Sequence, residues 1–172
     1  MKSIMFNDSG HMIKIDGHIL DLIFQYRQTG ICQREAGGVL IGRELESTDN
    51  LIIEEMTEPM KSDKQSRYSF ERKDPTHMDR FQELFTMSNE TYGYFGEWHT
   101  HPEKVPHYSG IDKRNWNKLY RELPQKHALY FVIGGTIAVG VWKIDLSESN
   151  QPTCLFGTDW DGLKIEERRC EE

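Results

Sequence analysis

The sequence predicts an α/β domain, a mixed sheet flanked by helices, and three observations carry that prediction. Apolar residues recur at helical spacing in three separate segments. A glycine-punctuated apolar run over residues 36–42 has the character of a buried strand. Near the C-terminus, LYFVI and TIAVGVW stand on either side of Gly134-Gly135, a strong signal for a two-residue hairpin turn.

Each element follows in chain order. A short strand opens the chain. Asp16 then stands where a helix cap is needed, ahead of Ile19, Leu22, Ile23 and Tyr26 at helical spacing. Thr29-Gly30 ends that helix. The glycine-rich strand follows, with small residues where another backbone or a ligand comes close. Residues 50–57 (NLIIEEMT) predict a second strand, and residues 68–70 a third. Asp74-Pro75 predicts a helix start, with Asp as cap and Pro at the first helical position. Met78, Phe81 and Phe85 supply its apolar stripe. Residues 93–100 form an aromatic-rich strand that enters a Pro-containing loop. Ser109 begins another helix, whose buried face uses Trp116, Leu119 and Tyr120.

Length and composition narrow the function classes. The chain has 172 residues, enough for one compact domain over residues 1–172. No internal repeat or composition break divides it. A hydrophobic fraction of 37% with 28% charged residues is ordinary for a globular protein. Nothing approaches the roughly 18 apolar residues of a membrane span. The N-terminal MKSIMFNDSG turns polar too soon for a secretory signal, so a cytoplasmic location is expected. Cys32, Cys154 and Cys170 are far apart and form no C-x-x-C pair, which predicts reduced thiols. A net charge of −7 disfavours nucleic acid as a partner, because phosphate binding needs clustered Lys and Arg.

The chemistry concentrates in Glu97-Trp98-His99-Thr100-His101-Pro102, followed by Ser109-Gly110-Ile111-Asp112. Side chains alternate along a strand, so His99 and His101 leave the same face while Trp98 and Thr100 leave the other. Two imidazoles on one face can bind one metal ion, and a carboxylate is a usual third ligand in a catalytic zinc site. Asp112, in the first turn of the next helix, is the candidate. Each piece also has a plain structural explanation. Paired histidines occur in chains that bind nothing, and Ser109 with Asp112 three residues later fits a helix cap followed by a first-turn acid. The combination H-x-H-P, seven residues, S-x-x-D is far more specific than either part. Glu35 stands directly before the glycine-rich strand, whose small residues let it lie close to the metal ligands.

With these residues in view, the sequence resembles the JAMM/MPN-plus (JAB) metallopeptidases. Their signature is a Glu before a G-x-L-x-G-like strand, then H-x-H-x7-S-x2-D, and every position is filled here. The resemblance runs from Glu35 through the terminal hairpin and is looser over residues 43–92. The string Gly96 to Pro102 is similar to a compact prokaryotic subgroup found in antiphage operons beside ubiquitin-like conjugation machinery, including the deconjugating peptidases of CBASS systems. The resemblance implies a cytidine-deaminase-like fold and one zinc ion per chain held by His99, His101 and Asp112. It implies Glu35 as the base that takes a proton from water and returns it to the leaving lysine amine, with Ser109 donating to the oxyanion. The implied substrate is a ubiquitin-like or CD-NTase C-terminal tail conjugated to a target protein, and an E1- or E2-like conjugating protein is an implied partner.

The remaining residues carry structural expectations. His11, His18 and His127 belong to no motif, His77 sits beside an acidic helix start, and His107 is a loop residue. Trp98 is expected in the core behind the site, Trp116 as the anchor of its helix, and Glu97 outside the catalytic set. The stretches after Ile41 and Met60 are too short and polar for a large docking insertion, so an exposed strand edge is expected to take the substrate tail by strand addition. Two alternatives stay open, processing of a ubiquitin-like or sulfur-carrier precursor and a non-catalytic MPN scaffold, while the acidic balance disfavours a role in DNA repair. A cytidine deaminase is disfavoured because H-x-E with a later P-C-x-x-C is absent.

Overall fold

The computed structural model describes residues 1–124 and 127–164. Among the described residues ten strands and four helices follow one another, and eight of the strands form one mixed sheet. Its order is β1 (Ile4–Asp8), β2 (His11–Ile15), β4 (Asn50–Met56), β3 (Gly37–Leu45), β7 (Gly93–Thr100), β8 (Leu129–Gly134), β9 (Ala138–Asp145) and β10 (Ser149–Asp159). The β2–β4 and β7–β8 pairs are parallel, and the rest are antiparallel. Parallel neighbours need a long crossover. The one between β7 and β8 carries α3 (Gly110–Glu122), which is how Asp112 comes to lie near the end of β7.

Helices cover both faces, and each face has its own core. On one side α1 (Gly17–Gln25) and α4 (Trp160–Leu163) bury Ile19, Leu20, Ile23 and Trp160 against Leu40, Trp98 and Val132. On the other, α2 (Thr76–Met87) and α3 bring Leu84 and Trp116 against Val39, Phe131 and Ile133. Trp116 stacks on Phe131 with ring centroids 4.2 Å apart, so it anchors α3 as expected. The predicted mixed sheet flanked by helices is therefore what the chain builds.

Several local expectations are corrected. The single N-terminal strand is a hairpin, β1–β2, turned by Ser9 and Gly10 at positive φ. Asp16 occupies the cap position of α1 without a side-chain cap bond, because its carboxylate pairs with Lys14 and accepts from Ser3. The third strand is β6 (Ser69–Glu71), paired with β5 (Lys64–Ser66) in a separate two-stranded sheet, and Tyr68 lies in their turn. Pro75 rather than Asp74 borders α2, yet the Asp74 carboxylate accepts from the Thr76 N–H at 3.1 Å and holds the helix start. Met78 stands outside the buried stripe; His77 and Leu84 are the residues that α2 buries. Gly134 belongs to β8, so the turn into β9 is made by residues 135–137 and closed by Gly135 N–H donating to the Ala138 carbonyl at 2.8 Å. Strand β10 and helix α4 were not anticipated. Cys32 and Cys154 are free thiols, while Cys170 and the acidic tail lie outside the described residues.

Candidate metal centre

The end of β7 is pinned between its two neighbours. The Ala36 N–H donates to Thr100 Oγ1 at 3.0 Å and the Thr100 N–H returns to the Ala36 carbonyl at 2.9 Å. On the other side the His101 N–H donates to the Gly134 carbonyl at 3.0 Å. These bonds fix three things together: Glu35 at the mouth of β3, the two histidines on one face of β7, and Trp98 on the opposite face. Trp98 is buried and donates its indole N–H to the Thr57 carbonyl at 2.9 Å, as a core residue behind the site should.

Close approach of β3 depends on its glycines. A Cβ on Gly38 would lie 2.0 Å from the Thr57 carbonyl oxygen, and one on Gly37 would lie 2.5 Å from the Phe70 ring. No larger residue fits either position without displacing a neighbour.

His99, His101 and Asp112 meet in space. The two Nε2 atoms are 3.0 Å apart, His99 Nε2 is 3.4 Å from Asp112 Oδ1, and His101 Nε2 is 3.6 Å from Asp112 Oδ2. Ligands of a tetrahedral zinc with bonds near 2.0–2.1 Å sit about 3.3 Å from one another. Two imidazole nitrogens and a carboxylate at that spacing fit one zinc ion with an open fourth position. Burial is the main force on His99, and it pushes the imidazole well below its usual pKa; a charge on His101 acts the same way, while Asp112 opposes both. The ring is therefore neutral and available to a metal at physiological pH.

Glu35 stands beside this cluster, with Oε1 4.0 Å from His101 Nε2 and only 4% of the residue exposed. Burial raises its carboxyl to about 8, with further contributions from Asp112 and Glu103. A buried carboxyl with a raised pKa at the edge of a donor cluster is suited to carrying a proton. Its own N–H donates to the Ser66 carbonyl at 2.7 Å, which ties it to the β5–β6 hairpin.

Ser109 is the N-cap of α3. The Asp112 N–H donates to Ser109 Oγ at 3.1 Å, and the Ser109 N–H donates to Asp112 Oδ2 at 2.6 Å. Among the described residues the Ser109 hydroxyl donates to no other group, which leaves its hydrogen for a ligand. All five residues singled out in the sequence line one open cleft of about 530 Å3.

Two features escaped the sequence. His77 is fully buried between Thr57 and Asp63, with Nε2 2.8 Å from Asp63 Oδ2. Asp63 also accepts from the Met60, Lys73 and Asp74 N–H groups and so closes the loop that carries the β5–β6 hairpin. The second is Arg72, which lines the same cleft and donates through Nε to Glu97 Oε1 at 2.8 Å. The strand parity of Glu97 pointed to the metal side, but its partner lies 25 residues away and left no local signal. His107 is an exposed loop residue, as expected.

Residues 19–145 match the family of prokaryotic homologs of the JAB domain. A protein of Pseudomonas aeruginosa named CD-NTase/cGAS isopeptidase is 34% identical over 81% of this chain and 87% of its own length. Proteins of the same name from Escherichia coli and Vibrio cholerae are 36% and 34% identical, over 66% and 67% of this chain and 71% and 73% of theirs. A solution structure from Desulfitobacterium hafniense is 22% identical over 86% of this chain and 89% of that chain, with a TM-score of 0.46.

Proposed function

The chain belongs to the prokaryotic JAB-domain family, and from that premise we propose that it is a zinc-dependent isopeptidase of antiphage defence, which releases a CD-NTase C-terminal tail from the lysine of a target protein. The observation that carries this reading is the convergence of His99, His101 and Asp112 at metal-ligand spacing with Glu35 beside them. Relatives named as CD-NTase isopeptidases at 34–36% identity supply the substrate class.

His99, His101 and Asp112 would hold the zinc ion, which would supply Lewis acidity to water and to the scissile carbonyl and would favour the ionised form of Glu35. The Glu35 carboxylate accepts a proton from the attacking water as the new C–O bond forms. Ser109 Oγ donates to the oxyanion that develops on the carbonyl oxygen. When the C–N bond breaks, Glu35 returns the proton to the lysine Nζ, which leaves as a free amine, and the tail retains a carboxylate. Ser109 serves both α3 and the oxyanion, since a hydroxyl accepts and donates at once.

Cleavage of a conjugate tests the proposal. A CD-NTase joined through its C-terminus to a lysine Nζ of a reporter is incubated with the zinc-loaded protein, and the products are weighed by mass spectrometry. The proposal expects an intact tail ending in a carboxylate and a reporter with a free lysine. An uncut conjugate, with the protein folded and zinc-loaded, refutes the substrate class.

A further inference from the structure

Three cationic residues line the cleft, Arg72, Lys73 and Lys118, and the proposed hydrolysis uses none of them; Arg72 is the least exposed of the three. Arg72 follows β6 directly, and three observations make it a built feature. Its Nε donates to Glu97 Oε1 at 2.8 Å, and the Tyr94 hydroxyl donates to the same oxygen at 3.0 Å. Tyr94 is buried, so the carboxylate that holds Arg72 is itself held from the core side. Besides Glu97 the guanidinium meets the Tyr94 hydroxyl, and its five N–H donors outnumber these two side chains, the partners found for it among the described residues.

A bulge creates this arrangement. In β7 the register with β3 runs Leu40 to Gly96 and then Ile41 to Tyr94, so Phe95 is an extra residue. Gly96 takes φ 141° there, and a Cβ would lie 1.8 Å from the Tyr130 carbonyl oxygen. The extra residue reverses the alternation, so Tyr94 and Glu97 share the face that carries His99 and His101. Without the bulge the tyrosine would point into the opposite core.

We propose that Arg72 is a substrate-binding residue whose terminal guanidinium nitrogens donate to a backbone carbonyl oxygen of the extended tail, on the acyl side of the scissile bond. The inference rests on reading the site as a peptidase. Glu97 and His99 are two residues apart on one strand, roughly 7 Å along its axis. An extended peptide lying in the cleft covers the same distance in two residues, which puts a carbonyl opposite Arg72. The lysine side of an isopeptide offers no such group, because a four-carbon stem separates Nζ from the first backbone carbonyl. A substrate carboxylate is the poorer ligand. Glu97 already compensates the Arg72 charge, Lys73 is tied to Glu71 at 2.7 Å, and Glu35, Glu103 and Glu122 line the same cleft. A neutral carbonyl meets no repulsion there.

Two lysine Nε-amides test this, one carrying the last residue of a CD-NTase tail and one carrying the last four. For Arg72→Ala the proposal expects kcat/KM to fall roughly ten- to a hundredfold on the four-residue substrate, mostly through KM, as for loss of a charge-assisted hydrogen bond. The one-residue substrate changes less than about threefold, and Arg72→Lys recovers part of the loss. Equal losses on both substrates, or none on the longer, overturn the proposal. So does a loss confined to tails that carry Asp or Glu, which would make a carboxylate the ligand. Binding of the free four-residue tail to the zinc-loaded protein, followed by calorimetry, is measured in parallel. If the wild type cuts neither substrate, the peptidase reading fails, and Arg72 is judged on binding alone. Weaker binding by Arg72→Ala upholds it there; unchanged binding, or none by the wild type, overturns it.

Discussion

Ser109 and Asp112 cap each other across the first turn of α3, and the carboxylate that accepts from the Ser109 N–H at 2.6 Å also faces His99 at 3.4 Å. The side chain that closes the capping box is also the proposed third metal ligand. Helix formation therefore delivers Asp112 to His99 and His101 in a fixed orientation, and the capping box is compatible with the catalytic role proposed for S-x-x-D.

This sharing separates two effects at Ser109. Ser109→Gly keeps an acceptable cap and should cost only a few tenths of a kcal/mol of stability. It removes the hydroxyl donor, and kcat should drop about a hundredfold or more. Thermal melts and steady-state kinetics on the same preparation decide the point. A variant that loses neither would show that the hydroxyl takes no part in the reaction.

In the metal-free protein, Glu35 and His99 pull stability in opposite directions with pH. The Glu35 carboxyl is raised from 4.5 to about 8 on folding, so its contribution is complete below 4.5 and is lost as pH rises toward 8. His99 is lowered from 6.5, so its contribution is present above 6.5 and is lost as pH falls. Between pH 7 and 8.5 the Glu35 effect governs, and the Tm of the metal-free protein should fall. Glu35→Gln should flatten that slope by removing an effect on the order of a few kcal/mol. An unchanged slope in Glu35→Gln would assign the dependence to another group.

The His77 bridge predicts a selective loss. His77→Ala leaves Thr57 and Asp63 without their buried partner and should destabilise the fold by about 3 kcal/mol or more. Asp63→Asn keeps the size and much of the backbone bonding. It should cost less stability and still loosen the loop that carries Arg72, raising KM while zinc content stays constant. A normal KM in Asp63→Asn would detach this loop from substrate binding.

Gly38→Ala should be among the most damaging small changes outside the cluster itself. The added methyl would sit 2.0 Å from the Thr57 carbonyl oxygen, so β3 and β4 must separate where Glu35 enters. A loss of more than about 3 kcal/mol is expected, with zinc content reduced in what remains folded. Denaturant unfolding and metal analysis check both parts.

What was legible in the sequence follows physical lines. His99 and His101 were placed on one face because strand alternation is local, and Asp112 was placed near them because the helix after the loop announces its own cap. Strand β10 was missed because its polar sequence contains Pro152 and its pairing with β9 shifts register twice, so no alternation survives. The bulge at Gly96 was hidden for a related reason. A glycine within a strand signals close approach, but only the register shows that Tyr94 and Glu97 share a face. Arg72 and Asp63 act through partners that tertiary packing chooses, and neither left a trace in periodicity or spacing.

The central claim is tested most directly by measuring metal content and cleavage together on the wild type, His99→Ala and Glu35→Gln. The account predicts about one zinc per chain and cutting of the CD-NTase conjugate by the wild type. His99→Ala should lose both, while Glu35→Gln should retain zinc and lose cutting by at least about a hundredfold. A wild type that cuts the conjugate with no metal bound, or a Glu35→Gln protein that cuts as well as the wild type, would contradict it.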